Sequence, residues 1–382
     1  MKKIMFMMMA VATLAVVGVR ANEIAKWDPN MAVEHAVVTD GVKWIDGKYL
    51  PIEGRAFNDT SHYYDRLPSG VTTSVNEGVR GMKSHTSGML FRFVTDSKKL
   101  IVKWKPYHSM LAMGHMPATG VSGIDIYRWD ATQRRWFYVK TGMVSDYEKG
   151  GSCEISWTPG TPCIINLPLY NGIRSFELGI DTTATIQPCT HTSGIEKPVV
   201  FYGTSITHGG CASRPGLGFV NMVGRDLDVP VVGLGFSGSG VMEFEMSDHL
   251  ANIDASCYVL DCLWNMGMTT SNNRKGRNVD ENYEPFIRNL RAKRPDVPIV
   301  MAERCDVFCN GPTDLDRYTR ALYEKLIAEG WKNLFYLPKD KMYPGDLEGT
   351  VDGCHPNDLG MRALADAFGD AVRKALEKEQ GE

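Results

Sequence analysis

The segment VVFYGTSITHGG, residues 199–210, decides how the chain is read. Four apolar residues, Val199–Tyr202, stop at Gly203. Ser205 follows two residues later, then His208, then paired glycines. A short apolar run bounded by a glycine turn fits a strand buried on both faces. The rest of the chain repeats that rhythm. Helical stretches near 218–227, 241–252, 281–293, 314–329 and 357–378 alternate with the apolar runs PVVGLG, SCYVLDCLW, PIVMAE and NLFYLP. Five strands and five helices in alternation predict a mostly parallel five-stranded sheet with helices on both faces, a three-layer α/β/α domain over residues 198–382.

In such sheets function gathers beyond the carboxyl ends of the strands. Reading the residues after each apolar run gives Gly203-Thr204-Ser205, then GLGFSGSG (233–240), then Trp264-Asn265, then Glu303-Arg304, and finally Asp352-Gly353-Cys354-His355. Each has a plain structural reading. Ser205 fits a helix cap, Asn265 and Asp352 fit turns, and His355 fits a surface position. Gly233, Gly235 and Gly238 also match a dinucleotide fingerprint, a weak signal when it follows the second strand of the unit. The conjunction points elsewhere. A Ser hydroxyl is a weak nucleophile that needs a base. His355 supplies one, and Asp352 three residues earlier would orient the imidazole. The backbone N–H groups of Ser205 and Gly238 and the side-chain amide of Asn265 are candidate donors to an oxyanion. His208, although nearest in sequence, is not the expected base.

Residues 22–190 have a different character. The runs GMLFRFVT, KLIVKWKP, GIDIYRWD, RRWFYVKTG, CIINLPLY and RSFELGID are short, β-branched and aromatic, and turn residues separate them. They predict an all-β sandwich whose Trp104, Trp129 and Trp136 serve the core. The turn-rich segment Gln187–Pro198 reads as a linker.

The first 21 residues carry Lys2 and Lys3, an apolar run from Ile4 to Val19, and small residues before Asn22. They read as a cleavable signal peptide rather than a membrane span, without a lipid-accepting Cys at the cut. Export to the periplasm or beyond is therefore expected, with no membrane span after cleavage. Losing Lys2, Lys3 and Arg20 moves the net charge from −3 to −6, which argues against a nucleic-acid partner. Nine cysteines leave at least one outside any internal pairing. No CxxC pair or Cys/His zinc spacing occurs. Cys153 and Cys163, placed to flank a hairpin, are candidates for a disulfide in an oxidising compartment.

Taken together, YGTSITHGG, Gly238, Asn265 and the Asp352–His355 block resemble the SGNH hydrolase, or GDSL-type esterase, superfamily. Thr204 stands where many members carry Asp, and Trp264 and Met266 flank Asn265 in place of the usual Gly-x-Asn-Asp. The stretches GCASRPG (210–216) and GIDIY (123–127) resemble a subgroup with a β-sandwich ahead of the hydrolase. The resemblance implies a flavodoxin-like fold and ester hydrolysis without metal or cofactor. It implies catalysis by Ser205, Asp352 and His355 with an oxyanion hole from Ser205, Gly238 and Asn265. The expected substrate is an acylated carbohydrate, with acetyl favoured, or another small ester. Longer acyl chains, and a glycan-binding protein without turnover, are the rival readings. The sequence is silent on oligomeric state and on Arg214, Glu303 and Arg304.

Overall fold

A computed structural model describes residues 35–270, 276–305, 311–342, 346 and 348–379. The expected signal peptide lies outside the described residues.

The N-terminal half holds strands β1 (Val37–Thr39), β2 (Val42–Asp46), β3 (Ile52–Glu53), β4 (Leu90–Thr95), β5 (Lys99–Pro106), β6 (Ile124–Asp130), β7 (Arg135–Gly142), β8 (Gly151–Ser156), β9 (Pro162–Asn166), β10 (Ile173–Ile180) and β11 (Ile186–Pro188). Short helices α1 (Glu77–Gly81) and α2 (Ala118–Val121) interrupt them. One antiparallel sheet runs β1-β2-β10-β5-β8, the other β11-β4-β9-β6-β7 with β3 on β4. Alternate residues of both sheets, among them Val102, Trp104 and Phe176 from one and Phe91, Phe93 and Ile165 from the other, bury into one shared core. Period-two alternation drives this arrangement, because each sheet has one apolar face to hide. The expected β-sandwich is therefore present.

Two expectations in this half need correction. The run around Cys153 and Cys163 is not a hairpin: Cys153 sits in β8 opposite Val102, and Cys163 in β9 opposite Phe93, in different sheets. Both are free, buried thiols. The crossing is forced because each strand needs its own sheet partner. Trp129 and Trp136 are also not core. They face each other across the β6–β7 hairpin and remain partly exposed, whereas Trp104 is buried with its indole N–H donating to Ser122 O at 3.0 Å.

The C-terminal half alternates strands β12 (Val199–Gly203), β13 (Val231–Gly235), β14 (Cys257–Asp261), β15 (Ile299–Ala302) and β16 (Leu334–Leu337) with helices α3 (Phe219–Leu227), α4 (Phe244–Ala251), α5 (Val279–Lys293), α6 (Asp314–Ala328) and α7 (Asp358–Glu379). The sheet is parallel throughout, in the order β13-β12-β14-β15-β16. Strands β12, β13, β14 and β15 are buried at every position. Two apolar layers explain this: one packs α4, α5 and α6 on one face, the other α3 and α7 on the opposite face. The strand order turns at β12, so the loops after β12, β13 and β14 open toward one another at the topological switch point.

Candidate active site

Strand β12 ends at Gly203, where a Cβ would lie 2.1 Å from Thr207 Oγ1 and 2.6 Å from Asp261 O. Only glycine allows the chain to turn so closely against β14, and that turn lifts Ser205 to the edge of the sheet. Ser205 is 7% exposed, and its Oγ lies 2.9 Å from His355 Nε2. His355 Nδ1 lies 2.8 Å from Asp352 Oδ2. The other carboxylate oxygen, Oδ1, accepts the backbone N–H groups of Cys354 (2.9 Å) and His355 (2.7 Å). Partial burial works against the Asp352 carboxylate. The hydrogen bonds from the His355 backbone and ring and from the Cys354 backbone outweigh it and hold Asp352 down at about 2. An ionised carboxylate has no proton to give, so Nδ1 carries the imidazole hydrogen and Nε2 is left as an acceptor facing Ser205.

The loop after β13 brings Gly238 to the same edge. Its φ is +63° and no atom lies within 4 Å of a Cβ built there, so the site above it is open. Ser239 and Gly240 close the turn by donating to Phe236 O at 2.9 and 3.0 Å. Neither the Ser205 N–H nor the Gly238 N–H has a hydrogen-bond partner among the described residues. Asn265 reaches the same turn. Its Nδ2 lies 3.1 Å from Gly240 O and 3.3 Å from Phe236 O. The amide therefore pins the Phe236–Gly240 turn instead of standing free. Gly240 O at the end of the turn needs a donor, and Asn265 is the side chain that supplies it.

Residues from the β-sandwich brace this turn, and sequence reasoning missed all of them. Arg66 is 1% exposed and donates to Gly233 O (3.1 Å), Gly235 O (2.7 Å) and Met82 O (2.9 Å), with its guanidinium 4.6 Å from the Phe236 ring. Burial lowers it to about 9, so it remains a cation at neutral pH. Asn76 Nδ2 donates to Ser239 O at 2.7 Å and also bonds Glu243, whose other oxygen accepts the Tyr202 hydroxyl at 3.2 Å. Tyr170 donates its hydroxyl to Ser205 O at 3.0 Å and stacks on His208 at 4.2 Å. His208 is fully buried and 3.1 Å from His85. Burial, with help from the Arg66 charge, holds both imidazoles far below their ordinary values. They stay neutral, and His208 belongs to this packing layer. His115 reaches the mouth of the site from the loop before α2, with its ring 6.0 Å from that of His355.

Two of the three glycines that match a dinucleotide fingerprint, Gly233 and Gly235, serve packing. Gly233 lies inside β13, and a Cβ on Gly88 would sit 2.6 Å from Gly233 N. The backbones of the two halves meet there. GIDIY and GCASRPG meet as well: Asp125 is fully buried and accepts from Arg214 at 2.6 Å and from Gly216 N at 2.9 Å, while Tyr127 bonds the same guanidinium. Arg214 is thus a domain clamp. Glu303 is likewise structural, accepting from Tyr336 (2.5 Å), Arg320 (2.9 Å) and Lys339 N (2.8 Å). Arg304 lies 4.7 Å over Trp264, beside Asn265. Asp261 at the end of β14 is buried, and desolvation lifts it to about 7 against one bond from Thr207 Oγ1 at 2.7 Å.

Asp352, Cys354 and His355 bring donor atoms within 4.8 Å of one another. Asp352 and His355 already engage each other in that turn, so it reads as a hydrogen-bonded acid–imidazole pair. No helix among the described residues is long and apolar enough to cross a membrane.

Comparison with known proteins agrees with this layout. Residues 196–373 match the model of the GDSL-like lipase/acylhydrolase family, and residues 42–186 match that of the N-terminus of SGNH-hydrolase-type esterases. A GDSL-like lipase from Bacteroides ovatus is 26% identical with a TM-score of 0.73, and the match covers 88% of this chain and 98% of that one. The salicylyl-acyltransferase SsfX3 of a tetracycline biosynthetic pathway superposes at 0.68 with 18% identity over 88% and 98% of the two chains. A family two carbohydrate esterase from Clostridium thermocellum, in complex with cellohexaose, superposes at 0.52 with 13% identity over 76% and 93%. No curated protein is significantly similar in sequence.

Proposed function

The chain belongs to the SGNH, or GDSL-type, hydrolase superfamily, and we propose that it is an exported serine esterase that removes short acyl groups, acetyl foremost, from a carbohydrate. The observation that carries the esterase reading is the unbroken chain Ser205 Oγ–His355 Nε2–His355 Nδ1–Asp352 Oδ2 at 2.9 and 2.8 Å.

Ser205 Oγ attacks the ester carbonyl carbon as its proton passes to His355 Nε2. Asp352 stabilises the resulting imidazolium and keeps the ring oriented. Negative charge develops on the carbonyl oxygen, and the N–H groups of Ser205 and Gly238, which have no partner among the described residues, are its proposed donors. Asn265 contributes by holding that turn. Its longer contact, to Phe236 O, is the one that yields an N–H to the oxyanion. Collapse expels the alcohol, which takes the proton from His355 and leaves an acyl group on Ser205. Water then attacks the acyl carbon, giving a proton to the same nitrogen; as the adduct collapses, His355 Nε2 returns that proton to Ser205 Oγ and the acid departs.

Two observations support the carbohydrate part. The site lies open at the sheet edge, with Asp352 and His355 both partly exposed. The family two carbohydrate esterase with cellohexaose shares the two-part fold. The test pairs two measurements. Ser205→Ala is expected to reduce p-nitrophenyl acetate hydrolysis by at least about 10³-fold, and retained activity defeats the mechanism. Acetate release from acetylated glycans, measured against a p-nitrophenyl series from acetate to dodecanoate, decides the substrate. Activity that rises beyond about eight carbons, without acetate release from any glycan, makes the protein a lipase or thioesterase instead.

A further inference from the structure

A second cleft lies where the tip of the β6–β7 hairpin meets the end of α3. It encloses about 750 Å³ and is lined by Trp129, Trp136, Arg134, Arg135, Arg225 and Asp226, among others. That size suits a small-molecule or oligomer segment. It is remote from Ser205. Its floor, Leu227 and Asp228, precedes β13, and the catalytic loops follow the opposite ends of the strands. One five-residue strand alone separates the two edges by about 16 Å.

Its chemistry is specific. Trp129 and Trp136 meet edge-on, with centroids 5.5 Å apart and planes at 64°, and both are partly exposed near the tip of the hairpin. Paired indoles left open beside a cleft offer flat apolar faces for the C–H faces of sugar rings. The Trp136 indole N–H is buried without an acceptor among the described residues. The cations differ in their engagement. Arg92 under Trp136 is held by Asp228 at 2.7 Å, and Arg225 donates to Gly216 O at 2.9 Å. Arg134 and Arg135, at the hairpin tip, form no ion pair among the described residues; Arg135 only lies 4.6 Å over Phe137. The wall opposite is rigid. Thr192 donates to Asp228 through N–H and Oγ1 at 2.5 and 2.6 Å, and Asp226 is paired with Arg362 at 2.6 Å. The acids of the cleft are thus neutralised and the hairpin cations are not, which selects an anion.

We propose that this cleft binds an acidic saccharide, a sugar chain bearing carboxylate or sulfate groups, with Trp129 and Trp136 as the stacking platform and Arg134 and Arg135 as the anion contacts. The inference goes beyond the esterase reading and does not require it. The site anchors a polymer at the face opposite the nucleophile.

Calorimetric titration of full-length Ser205→Ala protein tests it with three probes: an oligogalacturonate, a sulfated oligosaccharide and neutral xylohexaose. Saturable binding of an acidic probe is expected, with the first two probes distinguishing carboxylate from sulfate. Trp129→Ala should weaken it by about tenfold or more, and so should the hairpin-tip double variant Arg134→Gln/Arg135→Gln, which breaks no ion pair among the described residues and only the stacking of Arg135 on Phe137. Neither change, made in the protein with Ser205 intact, should alter p-nitrophenyl acetate hydrolysis. Absence of saturable binding, equal affinity for xylohexaose, or binding unchanged in the double variant overturns the proposal. Loss of ester hydrolysis in Ser205→Ala without any acidic-saccharide binding defeats this site alone.

Discussion

Gly88→Ala is the sharpest test of how the β-sandwich supports the nucleophile's edge. Gly88 has φ +82°, where an L residue costs about 1–2 kcal/mol. A Cβ there would lie 2.6 Å from Gly233 N and 2.7 Å from Gly233 Cα. Ordinary contact needs a separation larger by about 0.8 Å. The obstacle is the backbone of β13, which is hydrogen-bonded along its length to β12, so it cannot yield as a side-chain tip would. Overpacking of this kind costs about 1–3 kcal/mol. Together the two terms predict a loss of about 2–5 kcal/mol. The displacement also has a direction. Strand β13 leads into the Phe236–Gly240 turn, so a shift of the strand moves the Gly238 N–H away from the oxyanion position. Removing one such donor slows acyl transfer by about 10²–10³-fold. Urea unfolding and kcat/KM for p-nitrophenyl acetate measure the two effects. Gly70→Ala is the control, with no atom within 4 Å of the added carbon and no positive φ. If Gly88→Ala unfolds within about 0.5 kcal/mol of wild type and keeps its full kcat, the reasoning about the backbone contact is wrong.

Other perturbations separate the remaining roles. Asn265→Ala should lower kcat by about 10²-fold or more with a small change in KM; a pure KM effect would mean that Asn265 acts only on substrate binding. Asp352 is held at about 2, so from pH 4 upward no carboxylate ionisation should appear in the rate profile, and Asp352→Asn should lower kcat by about 10²–10⁴-fold without shifting thermal stability by more than a few degrees. His191 is raised to about 9, since its bonds to Asp228 and Glu53 overcome the cost of burial. The stabilisation from its charge is therefore full below about pH 6.5 and lost as pH rises through 9. Unfolding free energy should fall by about 3 kcal/mol over that window, and His191→Gln should flatten the fall. Asp125→Ala removes the acceptor of Arg214 and Gly216 N, leaves a partly buried cation without its carboxylate, and should cost about 3 kcal/mol, read as an earlier unfolding step in denaturant.

The residues that could be read in advance share one property: they follow apolar runs. An α/β sheet converts position along the chain into position in space, because each strand end falls on the same edge. Ser205, Gly238, Asn265 and His355 could therefore be gathered from four separate segments without knowing a single distance. The β-sandwich has no such rule. Arg66 lies in YYDRLPSG and Asn76 in TTSVNEGVR, which look like ordinary surface turns, and their partners Gly235 and Ser239 are 169 and 163 residues away. Their burial comes from docking one half on the other, which no local pattern encodes. One local signal did exist. Asp125 interrupts the strand GIDIYRWD at a position buried on both sides, and a carboxylate there requires a cation from elsewhere. That cation is Arg214, 89 residues on. Asn265 is the opposite case. Its identity was legible and its immediate bonding was not, because the carbonyls it satisfies belong to a turn whose shape depends on Gly238 at φ +63°. The two cases define the limit of such reading. Chemistry placed by sheet topology can be anticipated from order along the chain, whereas polar groups recruited to satisfy a buried backbone appear only when the partners meet. That is also why support for the nucleophile's edge comes from the β-sandwich: the edge strand β13 and the turn after it carry carbonyls that the α/β domain meets only in part, and Arg66 supplies donors to Gly233 and Gly235 and Asn76 to Ser239.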